Sequence, residues 1–169
     1  TSGTVTLQAP AVSGSSVLTL PATTGTILVP GNASALTLGT SQATTSGTSF
    51  TFTGIPSWAK RITVMFNSVQ LSGGANYLIQ IGSGSITSSG YNSSTGYSGT
   101  TSGATSPATS TSGFVCQSGN LNNIAMGALV IYLYSGFSYI SSHSLGIIQS
   151  SNPYFTGGGG VVTLAGAMD

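Results

Sequence analysis

Residues 128–145 read Ala-Leu-Val-Ile-Tyr-Leu-Tyr, then Ser-Gly, then Phe-Ser-Tyr-Ile-Ser-Ser-His-Ser-Leu. The first run is short, apolar and rich in β-branched and aromatic residues, which marks a buried strand. The second alternates, and the Ser135-Gly136 step between them is a turn signal, so the pair is expected to form an antiparallel hairpin. Working outward, Arg61-Ile-Thr-Val-Met-Phe-Asn-Ser-Val69 also has period two and presents Ile62, Val64 and Phe66 on one face. Thr48-Ser-Phe-Thr-Phe-Thr53 alternates in the same way, and Gly54-Ile-Pro-Ser57 turns the chain after it. Asn76 to Ile81 is denser in apolar residues and is expected to be a central strand. Phe114-Val-Cys116 and Val161 to Leu164 are further short strands. The intervening Gly82–Gly113 stretch is mostly Gly, Ser and Thr and reads as one long polar loop, and the run Gly157 to Gly160 reads as a surface loop. No helical periodicity with a cap is present. The expectation is an all-β head, residues 48–169, built as an antiparallel, jelly-roll-like β-sandwich of seven or so strands.

Composition narrows the chemistry. Of 169 residues, 2% are charged and 39% hydrophobic, with a net charge of +1; an average soluble domain is about 25% charged. The groups of these types are Lys60, Arg61, His143 and Asp169. Ion-pair networks are therefore excluded as a source of stability, and protonation linkage is expected to be nearly absent. Lys60–Arg61 is too small a basic cluster to track phosphates, so nucleic acid is not an expected partner. The longest apolar segment, Ile124 to Phe137, is broken by Gly127 and Gly136 and falls short of the ~18–20 residues of a membrane span; membrane insertion is not expected. The start at Thr1 shows no leader pattern, and an abrupt end at Asp169 is compatible with a fragment.

The first thirty residues carry a repeat. Thr4-Val-Thr-Leu-Gln-Ala-Pro-Ala11 is answered by Val17-Leu-Thr-Leu-Pro-Ala-Thr-Thr24. Such short strands gain stability by winding with copies of themselves. Residues 1–30 are therefore expected to be a stalk that oligomerises, most simply as a homotrimer, by burying Val5, Leu7, Val17, Leu18 and Leu20. Residues 31–47 are the junction, and Trp58 is expected to anchor it.

Catalysis is not expected. Glycoside hydrolysis ordinarily needs two carboxylates, and the chain has one. A triad from Asp169, His143 and a serine lacks the strained elbow around its nucleophile. Cys116 with His143 could pair as a dyad, although Cys116 reads first as a small buried hydrophobe and His143 as an exposed or hydrogen-bonded imidazole. One Cys and one His do not make a zinc site, and a single cysteine makes no intrachain disulfide. The glycine run lacks the Lys and helix of a phosphate loop. No cofactor or metal is expected. What remains is recognition: Tyr91, Tyr97, Tyr139 and Tyr154 lie in or near segments rich in Ser, Gly and Asn, the composition of adaptable binding loops. Tyr91, Asn92, Tyr97 and Tyr154 are the candidate receptor contacts, and Tyr139 is expected to pack the rim of the sandwich.

The stretch GTVTLQAPAVSGSSVLTLPATTGTI, from Gly3, resembles the N-terminal repeat of tail-fibre and virion structural proteins of tailed bacteriophages. FTFTGIPSWAKRITVMFNSVQLSGGANYLIQIGSG, from Phe50, and GFVCQSG, from Gly113, are similar to the globular domain that follows that repeat. The resemblance implies a trimeric fibre segment on the virion exterior, assembled with other virion proteins and presenting a β-rich head to a host-surface receptor such as a glycan. It carries no catalytic residues over. Capsid decoration, a head fibre, or a secreted bacterial adhesin or carbohydrate-binding module would use the same kind of head.

Overall fold

The computed structural model describes residues 36–99, 107–117, 123–148 and 153–169. The chain divides into two units, Thr1–Thr40 and Ser41–Asp169. The stalk residues Val5, Leu7, Val17, Leu18 and Leu20 lie outside the described residues.

The second unit is all-β. Among the described residues its strands are β1 (Arg61–Gln70), β2 (Tyr77–Ile79), β3 (Asn92–Gly99), β4 (Ala108–Ser110), β5 (Phe114–Gln117), β6 (Ile124–Ser135), β7 (Ser138–Ile148) and β8 (Tyr154–Thr163). They form a six-stranded sheet in the order β1-β6-β7-β8-β3-β4 and a two-stranded ribbon, β2-β5. Every pairing is antiparallel. The two layers are thus unequal, with the ribbon laid over one face of the larger sheet.

The hairpin of residues 128–145 sits at the middle of that sheet. Leu129 pairs with His143 and Ile131 with Ser141. Its two-residue turn is Gly136-Phe137, one position later than the Ser135-Gly136 step suggests, and Gly136 takes a φ of 55°. That left-handed conformation costs glycine nothing, and it gives a hairpin turn whose twist matches the strands.

Period two sorts the large side chains. Leu129 and Ile131 of β6 and Tyr139, Leu145 and Ile147 of β7 are buried on the face beneath the ribbon, together with Phe66 of β1 and Val162 of β8. Phe114, Val115 and Cys116 of the ribbon are fully enclosed. Each large apolar side chain so buried contributes roughly 1.5–3 kcal/mol.

Four segments differ from the sequence reading. Gly82–Gly113 is not one loop: it contains β3 and β4, and β3 lies between β8 and β4 in the main sheet. The run Gly157 to Gly160 is not a surface loop either, but the interior of β8, paired with β7 on one side and β3 on the other. The reason is steric. A Cβ on Gly158 would stand 2.2 Å from the Ser94 carbonyl oxygen, and one on Gly159 would stand 2.3 Å from that of Ser141. The strands crowd too closely for side chains there, and glycine is what fits. Asn76–Ile81 provides only the short ribbon strand β2. Thr48–Thr53 makes no strand at all, and Phe50 and Phe52 stand exposed. Trp58 is also exposed, at 69% of its surface.

Candidate functional site

Two groups of polar and aromatic side chains stand out, one at the end of the sheet and one inside it. At the end, β3 and β8 pair Tyr97 with Thr156 and Gly99 with Tyr154. Tyr97 and Tyr154 are therefore diagonal neighbours on one face, within reach of each other's rings. The ring centroids are 5.4 Å apart with planes tilted by 54°. Both tyrosines are half-buried. Asn123, fully enclosed at the start of β6, donates its side-chain amide to the Tyr154 hydroxyl at 2.6 Å. The main-chain carbonyl of Asn123 accepts from Tyr77 at 3.0 Å, and that hydroxyl also reaches the Val69 carbonyl at 2.9 Å. Burial, with Tyr154 close by, pushes the Tyr77 phenol up to about 12. The Asn123 side-chain carbonyl is buried without a hydrogen-bond partner. The result is an aromatic pair, partly open, braced from beneath by a fixed amide and a neutral phenol.

The other two candidate contacts are elsewhere. Asn92 is exposed at the opposite end of β3, paired with Val161, and is five residues or roughly 17 Å along the strand from Tyr97. Odd spacing also puts it on the other face of the sheet. Tyr91 is not a surface contact: it is only 2% exposed. Its ring meets Phe114 edge-on at 5.0 Å, and its hydroxyl accepts from the Ile81 amide at 2.8 Å and donates to the Ile81 carbonyl at 3.2 Å. The phenol thus serves both polar groups of Ile81, whose carbonyl also accepts from the Thr87 amide at 3.0 Å. Tyr139 is buried, and its hydroxyl accepts from the Met168 amide at 3.0 Å.

Inside the sheet, β7, β8 and β3 bring His143, Gly158 and Thr95 into one cross-strand row. With no side chain on Gly158, the imidazole reaches over β8, and its Nε2 lies 3.0 Å from Thr95 Oγ1. A Cβ at Gly158 would stand 2.9 Å from His143 Cε1. Thr95 also donates its only hydroxyl proton to the Cys116 carbonyl, at 3.2 Å. Nε2 must therefore be the protonated nitrogen, donating to Thr95, and Nδ1 keeps a lone pair. Nδ1 is buried with no partner, as are Ser141 Oγ and Thr156 Oγ1 nearby on the same face. Burial lowers the imidazole's pKa, opposed by the backbone around Cys116. The expectation that protonation is nearly uncoupled from folding is corrected here: the chain's one histidine is only 7% exposed.

Cys116 is fully buried, and burial pushes its thiol up to about 12. Its Sγ contacts the Phe114 carbonyl at 3.8 Å, whereas the imidazole addresses Thr95. The two groups thus do not form a nucleophile–base pair. Asp169 is exposed, and both its carboxylate oxygens accept from the Gly84 amide, at 2.9 and 3.0 Å. Among the described residues no three His, Cys, Asp or Glu side chains gather to hold a metal.

The His143–Thr95 contact was missed in the sequence, though a signal existed. The alternation Tyr139, Ser141, His143, Leu145, Ile147 puts the histidine on the apolar face of its strand. Comparison with known proteins adds no identity: no family model, curated protein or solved structure matches the chain.

Proposed function

We propose that this chain is a non-enzymatic structural segment from the exterior of a virus particle, of the tail-fibre kind. In this reading its head touches a neutral host-surface glycan through Tyr97 and Tyr154. The observation that carries the recognition part is that half-buried ring pair, held by the enclosed Asn123. Aromatic faces stack on the C–H faces of sugars, and a rigid tyrosine offers contact area at low entropic cost. The near-absence of charge suits a ligand that is itself uncharged. The virion part rests on the likeness of the N-terminal repeat and of the Phe50–Gly84 stretch to phage fibre proteins, with trimerisation assigned to residues 1–30. Absence of catalysis rests on the single carboxylate and on the enclosed, mutually unpaired Cys116 and His143.

A glycan array probed with the whole chain tests the recognition step. Retention on one class of neutral glycan, lost in Tyr97→Ala while the variant still melts cooperatively as a folded protein, is the expected result. A variant that binds as well as the parent, or a parent that binds nothing on the array, would sink it. Light scattering of the whole chain should give three times the chain mass of 16.7 kDa.

A further inference from the structure

The main sheet ends at β1, whose outer edge has no neighbour among the described residues. The regular stretch Arg61–Phe66, ahead of the bulge between Phe66 and Val69, can accept a further strand there, the situation that natural sheets ordinarily blunt with charge or a cover. The side chains along this edge show the same incompleteness. Ile62 and Val64 point to the core face beside Phe66, yet they are only half-buried, since among the described residues no strand lies on the outer side of β1. Thr63 and Met65 point the other way and are exposed.

Seven residues before β1 the chain contains a strand-like sequence with no strand to join. Thr48-Ser-Phe-Thr-Phe-Thr53 alternates strictly, yet forms no ladder and leaves Phe50 38% and Phe52 50% exposed. Its aromatic face is Phe50 and Phe52; its hydroxyl face is Ser49, Thr51 and Thr53. Laid beside β1, the aromatic face would fall next to Ile62 and Val64 and the hydroxyl face next to Thr63. Neither side carries a carboxylate, and β1 itself has a single charge, Arg61, at its first residue. Arg61 lies 5.6 Å above the Tyr132 ring, which draws it toward β6 and away from the free edge.

We infer that residues 48–53 of one copy add as a strand to the β1 edge of a second copy. Main-chain hydrogen bonds supply affinity in such additions, and the alternate side chains supply register. Phe50 and Phe52 then complete the core at the half-covered end of the sheet. Each copy has one segment to give and one edge to fill, so the contacts close into a reciprocal pair or a ring where the rotation between copies closes, and run on as a filament where it does not. This contact is independent of the glycan reading and of the repeat in residues 1–30.

Interchain cross-linking tests it. A chain carrying Thr51→Cys is mixed with a differently tagged chain carrying Thr63→Cys, and a short bis-maleimide is added. Both positions are exposed, and the native Cys116 is fully buried, so the unsubstituted chain serves as the blank. The expected product joins one chain of each tag. In parallel, Phe50→Lys with Phe52→Lys should abolish that product when placed in the Thr51→Cys chain. The thermal midpoint of the dilute protein should fall little, because both rings stand exposed and lie outside the core cluster of their own chain. A cross-linked product that survives the lysines overturns the inference, as does the absence of any mixed product. A chain carrying both cysteines that links only within itself also overturns it, since the segment would then serve its own edge.

Discussion

Lowering the pH from 7.5 to 4.5 should destabilise this protein through one residue, His143. In the unfolded chain a histidine takes up a proton near pH 6.5. In the folded chain burial lowers the pKa, so the imidazole stays neutral to a more acidic pH. Above the unfolded value both states are neutral, and the full stability is present. As the pH falls below it, the unfolded state holds one more proton than the folded state, and stability falls. The slope approaches about 1.4 kcal/mol per pH unit and levels off below the folded-state pKa. For a unit of this size that is about 4–6 °C of thermal midpoint per pH unit. The surroundings explain the direction. His143 is flanked by Leu129 of β6, Gly158 of β8 and Thr95 of β3, with Cys116 of β5 beyond the threonine. The only titratable group among these is the Cys116 thiol, neutral throughout, and no carboxylate is at hand to offset an imidazolium. Thermal melts at constant ionic strength, followed by near-ultraviolet circular dichroism, measure the slope. His143→Gln should flatten it while lowering the midpoint at pH 7.5. A parent midpoint that does not move between pH 7.5 and 5, or a glutamine variant as acid-sensitive as the parent, would refute the reasoning.

Gly158→Ala should cost about 3 kcal/mol or more, since its Cβ meets both the Ser94 carbonyl and the imidazole, whereas Gly96→Ala, facing open space, should cost under about 1 kcal/mol. Urea midpoints of the two variants give the comparison. Tyr139→Phe leaves the Met168 amide without its acceptor and should cost about 1–3 kcal/mol, with faster amide exchange at Met168 than at Leu129. Cys116 should ignore a thiol reagent at pH 8 in the native protein and react fully in denaturant.

Apolar periodicity made part of the fold legible. The hairpin of β6 and β7 and the inward set Ile62, Val64 and Phe66 of β1 could be read because large residues alternate with small or polar ones there. The same rule failed on β3 and on the glycine run of β8, which carry no large apolar period. Their strand state comes from their neighbours: β7 and β3 supply ladder partners on both sides of Gly157 to Gly160, and the tight fit rewards the missing side chains. It failed in the opposite sense at Thr48–Thr53, where the period is clear and no partner within the described chain answers it. For the candidate site, the pairing of Tyr97 with Tyr154 follows from a register that no local pattern reveals. Tyr91 could not be separated from them on composition, because buried and exposed tyrosines in a Ser/Gly context look alike in sequence.

An almost uncharged chain must satisfy its buried backbone by other means, and hydroxyls do so here. The Val115 amide donates to Ser93 Oγ at 2.8 Å, and Thr95 donates to the Cys116 carbonyl, which ties the ribbon strand β5 to β3. Tyr91 closes both polar groups of Ile81, Tyr77 bridges the carbonyls of Val69 and Asn123, and Tyr139 takes the amide of Met168. In each case a side chain on or beside the sheet holds a segment that has few ladder bonds of its own. Neutral hydrogen bonds of this kind contribute about 1 kcal/mol each and are indifferent to ionic screening. Stability at pH 7.5 should therefore change little between low salt and about 0.5 M sodium chloride. A fall of several degrees in the thermal midpoint over that range would mean that charge–charge attraction, and not the hydroxyl contacts, holds the layers together.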